Sequence, residues 1–198
     1  MRQRRASQTR KTGETRVSVY LGLDGTGTYD IRTGSGVLDH LLAQLARHGL
    51  IDIKLRATGD LETGWHHLVE DVAITLGRTL RKALGDGTGI RRMGHALVPL
   101  DEALAMVVVD LGGRGYAAIG ASLAEDQVEE LSGELLRHFL ESFAVEARIT
   151  LHARLLSGEN PHHRAEALFK ALARALRQAV EPDPRAQGQV PSTKGTLG

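Results

Sequence analysis

The sequence predicts an α+β protein built from two related halves, each a small β-sheet with helices on one face. Three observations predict it. Short segments of alternating hydrophobicity are followed by longer ones with apolar residues at three- and four-residue steps, the patterns of strands and amphipathic helices. That order runs along the chain twice, as an internal duplication does. Corresponding segments also match in detail: Ile51–Ala57 resembles Ile149–Leu155, Thr58-Gly59-Asp60 resembles Ser157-Gly158-Glu159, and His66-His67-Leu-Val-Glu70 resembles His162-His163-Arg-Ala-Glu166.

Residues 1–11 carry Arg2, Arg4, Arg5, Arg10 and Lys11, which predicts a disordered basic arm. The first half follows over residues 12–95. Val17, Val19 and Leu21 alternate with polar residues in a strand over Thr15–Leu23, and Asp24-Gly25 predicts a hairpin turn into a return strand over Thr28–Thr33. Leu38, Leu41, Leu42 and Leu45 have helical spacing, with Gly49 as the stop, and Ile51–Ala57 is a strand. The strongest helix of this half is His66–Leu84, closed by Gly85-Asp86-Gly87. The second half, residues 96–187, repeats the pattern. It has strands at Ala96–Val98, Ala103–Leu111 and Tyr116–Leu123, helical spacing within Val128–Ala147, a strand at Ile149–Leu155 and a helix at His162–Val180 stopped by Pro182 and Pro184. Residues 188–198 form a Gly/Pro/Ser-rich tail.

Composition narrows the function. A 198-residue chain is long enough for a sizeable core. Lys plus Arg total 25 against 24 Asp plus Glu, so a net charge of +1 gives no reason to expect a nucleic-acid partner. The absence of cysteine excludes disulfides, thiolate zinc sites and cysteine nucleophiles. No apolar run is long enough to span a bilayer and no signal peptide is apparent, so a cytoplasmic location and no membrane partner are expected.

The chemistry lies in His-His-x-x-Glu, present twice and each time at a helix start. Residues four apart on a helix share a face, so His66 with Glu70, and His162 with Glu166, can each reach one ion. The middle histidines, His67 and His163, point about 100° away and should serve another ion. His40 and His138 sit in register in the two halves and add one ligand each. Division by symmetry assigns His66, Glu70, His138 and His163 to one ion and His40, His67, His162 and Glu166 to the other, within one chain or between chains. Imidazole and carboxylate ligation without sulfur suits Mn, Fe or Zn. Four protein ligands on a six-coordinate ion leave positions for a substrate, which favours Mn²⁺. A single copy of the motif is equally compatible with a surface ion pair; two copies in duplicated context favour the metal. A dinuclear hydrolase of phosphate esters and a metal-storage or metal-sensing assembly are the competing functions.

Longer motifs carry a family resemblance. They include Glu14-Thr15, Gly34-x-x-x-Leu38-Asp39-His40, Ala46-Arg47-His48-Gly49, Gly59-Asp60-Leu61, His66-His67-x-x-Glu70-Asp71, Gly89-Ile90-x-Arg92-x-Gly94, Pro99-Leu100-Asp101-Glu102-Ala103-Leu104, Gly113-Arg114, Gly158-x-Asn160-x-His162-His163-x-x-Glu166 and Ser192-Thr193-Lys194-Gly195. Together these resemble the imidazoleglycerol-phosphate dehydratases over nearly the whole chain after residue 11. The resemblance implies two small mixed sheets with helices bundled between them, in halves like domain 2 of ribosomal protein S5. It implies two Mn²⁺ per active site, a small phosphate substrate and a homo-oligomer of 24 subunits with active sites at subunit contacts. It implies elimination of water from imidazoleglycerol phosphate to imidazole-acetol phosphate in histidine biosynthesis. Glu14 (the proton shuttle), His48, Glu70 and Glu166 are the implied catalytic residues. The implied substrate contacts are these four with His40, His66, His67, His162, His163 and Lys170, and a phosphate grip of Arg92, Arg114, Ser192, Thr193 and Lys194 on a closing tail. Two departures stand out. Glu62-Thr63-Gly64-Trp65 stands where the family usually has an Asp shortly before the first His-His, and Gly112-Gly113-Arg114-Gly115-Tyr116 keeps the arginine in a changed turn. His95 is expected on the surface and His152 in a structural role.

Overall fold

The computed structural model describes residues 4–59, 64–120, 123 and 126–197. Strands β1 (Arg5–Lys11), β2 (Thr15–Gly22) and β3 (Tyr29–Arg32), helix α1 (Gly36–Gly49), strand β4 (Asp52–Gly59) and helix α2 (His66–Leu84) make the first half. The second half repeats them as β5 (Met93–Leu100), β6 (Ala103–Asp110), β7 (Tyr116–Ile119), a short hairpin of β8 (Gln127–Val128) and β9 (Leu131–Ser132), α3 (Gly133–Ala147), β10 (Thr150–Ser157) and α4 (Pro161–Val180). The two four-stranded sheets have the same order, β1-β2-β4-β3 and β5-β6-β10-β7. In each, the last pair is parallel and is joined by a crossover helix, and the other pairs are antiparallel. The architecture is therefore the duplicated α+β fold with mixed sheets.

Alternation in the strands decides which sheet face is buried. Val17, Val19 and Leu21 of β2 and Ile53 and Leu55 of β4 turn inward in the first half, as Val107 and Val109 of β6 and Leu151 of β10 do in the second. Helix α2 lies on the first sheet and α4 on the second; α1 packs on α4 and α2 on α3, so the bundle joins the halves between the sheets. Phe139, Phe143 and Phe169 are fully buried at its centre, with the rings of Phe139 and Phe169 5.5 Å apart. The α2–α3 crossing needs Gly77, where a Cβ would lie 2.7 Å from the Phe143 carbonyl oxygen. Duplication extends to the caps: Ser35 and Ser132 accept from the Leu38 and Leu135 amides at the starts of α1 and α3.

Three expectations change. Residues 5–11 are not a disordered arm but strand β1, paired with β2 along its whole length. Ala6 is buried, Arg4 bonds Asp24, and Arg10 donates to Asp71, so two of the charges that suggested disorder have partners in the fold. Residues 1–3 of that arm, Gly198 and Asp60-Leu61 lie outside the described residues, as do Glu62 and Thr63. The turn at Asp24-Gly25 makes no β2–β3 hairpin, because β4 runs between those strands and Asp52 at its start accepts from the Thr26 and Thr28 amides. The second half begins at Met93, so a boundary between residues 95 and 96 would cut β5.

The outer faces of the sheets differ. The first presents Arg5, Thr9, Arg16, Lys54 and Arg56, whereas the second exposes Met93, Leu97, Val108, Tyr116 and Leu156. His95 and His152 flank Val108 on that second face and are exposed. No described helix is long and apolar enough to cross a membrane.

Candidate metal centre

Two clusters form where a helix of one half meets a helix of the other. His66 and Glu70 on the first turns of α2 meet His138 on α3. His162 and Glu166 on the first turns of α4 meet His40 on α1. Within each cluster one ligand atom per residue lies within 4.8 Å of the others. In the first, the His66 and His138 rings stack with centroids 4.9 Å apart, and His138 Nε2 is 3.3 Å from Glu70 Oε1. An open cavity of about 400 Å³ lined by His66, His138, Glu134 and Glu141 adjoins it. In the second, Glu166 Oε2 lies 2.8 Å from His40 Nε2 and 3.2 Å from His162 Nε2, while its other oxygen meets Lys170. The clusters share no residue.

His67 and His163 join neither cluster within this chain. Each turns around its helix toward a hairpin instead: His67 Nδ1 lies 3.2 Å from Glu14 Oε2, and His163 Nδ1 lies 2.7 Å from Glu102 Oε2. Each cluster is thus three ligands, one fewer than symmetry assigned.

The clusters suit a divalent cation. Each converges two imidazoles and a carboxylate without sulfur, a set suited to borderline and hard divalent ions. In the first cluster, His138 Nε2 is buried with no hydrogen-bond partner among the described residues, a cost that ligation removes. Burial alone would raise the Glu166 carboxyl, but His40 and Lys170 hold it down at about 2, so it is an anion ready to ligate. Burial, with Lys170 and Arg174 close by, pushes His48 below the usual histidine value and favours its neutral ring. Gln44 links the two histidines of α1, 3.3 Å from His40 Nε2 and 3.1 Å from His48 Nε2. Helical spacing alone could have suggested Gln44, one turn from each.

Glu14 sits at the tip of the β1–β2 hairpin, exposed, beside His67. Buried Asp71, next to Glu70, holds that hairpin by accepting from Arg10 and from the Thr15 hydroxyl. Trp65 packs against the core ahead of His66. The remaining motif residues lie elsewhere. Arg92, in the left-handed region at φ 70°, forks onto Asp110 at 2.7 and 2.9 Å and donates to the Pro191 carbonyl at 2.7 Å. This brings the tail to it: Ser192 starts a turn whose hydroxyl accepts from the Lys194 amide, and Thr193, Lys194 and Arg114 are exposed. The Arg92 amide bonds the Ala179 carbonyl at the far end of α4 from His162. At about 1.5 Å per residue, the 13 steps from Ala179 back to Glu166 and the 17 back to His162 separate Arg92 from that cluster by roughly 20–25 Å along the helix. Helix α2 likewise runs its full length between His66 and the loop that leads to Arg92.

A duplicated α+β domain with paired His/Glu clusters at its helix bundle defines a metal-dependent enzyme of two-half construction. The imidazoleglycerol-phosphate dehydratase family model matches residues 33–176. The chain is 55% identical over 197 residues to the imidazoleglycerol-phosphate dehydratase of Dehalococcoides mccartyi strain CBDB1, covering 100% of this chain and 99% of that protein. It is 53% identical to that of Albidiferax ferrireducens, with 98% and 95% covered. Crystal structures of the Staphylococcus aureus and Pyrococcus furiosus enzymes superpose with TM-scores of 0.81 and 0.82 at 34% and 38% identity. They cover 90% and 96% of this chain and 99% and 100% of theirs. The chain belongs to the imidazoleglycerol-phosphate dehydratase family, hydro-lyases of histidine biosynthesis.

Proposed function

We propose that this chain removes water from imidazoleglycerol phosphate to give imidazole-acetol phosphate, using two Mn²⁺ per active site and working as a homo-oligomer in the cytoplasm. The observation that carries the reading is the pair of convergent His/Glu clusters, His66–Glu70–His138 and His40–His162–Glu166. His163 and His67 are the proposed fourth ligands, supplied across subunit contacts.

The substrate has no carbonyl beside the C–H bond to be broken. The His66–Glu70–His138 and His40–His162–Glu166 clusters would hold divalent cations, which when bound would supply Lewis-acid polarisation of the substrate. The chain's own groups do the rest. Glu70 and Glu166 provide the anionic ligands. Neutral His48, with Lys170 beside Glu166, orients the substrate hydroxyls through hydrogen bonds. Glu14 takes the proton from the carbon bearing the retained hydroxyl and returns it to the neighbouring carbon as the enol becomes the ketone. The expelled hydroxide and the enol's hydroxyl proton leave together as water, which balances the reaction. Arg92, Arg114, Ser192, Thr193 and Lys194 grip the phosphate; Arg92 would exchange its bond to Pro191 for phosphate oxygens.

Two features support an oligomeric site. Arg92 of the phosphate grip and the His40–His162–Glu166 cluster of one chain stand roughly 20–25 Å apart along α4, too far for one small substrate to bridge. The exposed apolar face of the second sheet, around Leu97 and Val108, is the kind of surface that subunit association covers. An assembly of 24 subunits is the proposed form, by family resemblance. Incubation of the purified protein with Mn²⁺ and imidazoleglycerol phosphate tests the reading. It predicts an enolisable ketone absorbing in alkali and no inorganic phosphate; phosphate release without ketone would identify a hydrolase instead.

A further inference from the structure

The duplication sets two carboxylates at matching points. Strands β2 and β6 each span 8 residues, and Glu14 directly precedes one as Glu102 precedes the other. Each stands at a hairpin tip beside the middle histidine of the nearer His-His-x-x-Glu motif. Their surroundings have diverged. Among the described residues, the Glu14 carboxylate makes no hydrogen bond and its neighbour His67 Nδ1 has no hydrogen-bond partner. The Glu102 carboxylate is fixed on both oxygens. Oε1 accepts from the Glu159 and Asn160 amides at 3.2 and 2.9 Å, and Oε2 lies 2.7 Å from His163 Nδ1. The Glu102 carbonyl accepts from the Ser157 hydroxyl, and Asn160 caps α4 by accepting from the His162 and His163 amides.

We propose that Glu102 is a positioning residue that holds His163 as its Nδ1–H tautomer and turns Nε2 outward as a cation ligand, whereas its counterpart Glu14 is left free to move protons. The reasoning is chemical. An ionised carboxylate only accepts, so the nitrogen facing Glu102 must carry the proton, and in the neutral ring Nε2 then keeps the lone pair. A carboxylate behind a ligating histidine fixes the ring's direction and raises its basicity. Asp101 lies 3.7 Å from Nε2, beyond hydrogen-bond range, and Glu166 acts on the ring only at longer range, so that nitrogen stays available. The proposal rests on the reading that His163 ligates a cation.

Two measurements test it. The first is Mn²⁺ stoichiometry and affinity of the assembled protein, by elemental analysis and titration calorimetry. Glu102→Ala should weaken cation binding about 10–100-fold at the site His163 serves. Glu102→Gln keeps the shape. Its carbonyl best serves the two backbone amides, so its NH₂ faces His163, forces the proton onto Nε2 and lowers affinity too. The second is magic-angle-spinning NMR of ¹⁵N-histidine-labelled, cation-free protein at alkaline pH, with the His163 signal assigned by its loss in His163→Asn. The wild type should show Nδ1–H, and Glu102→Gln should show Nε2–H. Wild-type Mn²⁺ affinity in Glu102→Gln, or a wild-type His163 protonated on Nε2, overturns the proposal. If Glu102→Ala fails to fold, Glu102→Gln and the wild-type tautomer still decide. A wild type that binds no Mn²⁺ would overturn the cation reading itself, and Nδ1–H at His163 would remain separately readable.

Discussion

Substituting Arg10→Met removes the charge facing Asp71 and keeps most of the side chain's length. Arg10 Nε lies 2.6 Å from Asp71 Oδ1, with the Asp71 side chain 7% exposed and that of Arg10 33%. Removing one partner of a buried ion pair costs roughly 3–5 kcal/mol. Water reaches the arginine side here, and the Thr15 hydroxyl still donates to the carboxylate, which together lower the cost to about 2–3 kcal/mol. For a chain of this size, that is a fall in Tm of about 5–10 °C, read by far-UV circular dichroism. The same contact ties the β1–β2 hairpin to the first turn of α2, so the variant should also lose kcat with its Mn²⁺ content unchanged as Glu14 drifts from His67. A Tm within about 1 °C of wild type, with kcat unaffected, would refute the anchoring role.

Because the two clusters share no residue, Glu166→Gln should empty one and spare the other, so that elemental analysis finds the Mn²⁺ content halved and activity gone. Full Mn²⁺ content would remove Glu166 from the ligand set. Glu14→Gln should keep its Mn²⁺ and lose turnover by at least about 100-fold, the usual reach of a general base; near-normal kcat would exclude the shuttle. Gly77→Ala drives a Cβ to 2.7 Å from one backbone atom and 2.9 Å from another on α3, so the helices must part, at about 1–3 kcal/mol in denaturant unfolding.

Periodicity and repetition made most of the fold legible, because alternation in β2 and β4 and helical spacing in α2 and α4 are local patterns that the tertiary structure merely uses. Strand β1 was hidden because its inward positions are Ala6, Gln8 and Arg10, and the arginine's partner lies 61 residues away. The misread turn at Asp24-Gly25 has a similar cause: local chemistry marks a turn, but a strand from beyond α1 decides which strands pair. At the site, four-residue spacing showed that His66 shares a face with Glu70 and His162 with Glu166. The repeat brought in His40 and His138. Spacing could not show that His67 and His163 turn toward hairpins, since that depends on where Glu14 and Glu102 arrive. Nor could it reveal the distance between the Glu166 cluster and Arg92, which follows from the ligands sitting at the start of α4 and Arg92 bonding its end.

Subunit complementation tests the central claim most directly. Arg92→Ala should abolish phosphate binding, and His162→Ala should empty one cation site, so each homo-oligomer should be inactive. If every active site draws its phosphate grip and that cation cluster from different chains, oligomers reassembled from equal amounts of the two variants should regain about a quarter of wild-type activity, the fraction of sites that draw an intact contributor at both positions. If both parts come from one chain, every site carries a lesion. Reassembled mixtures as inactive as their parents would then contradict the account.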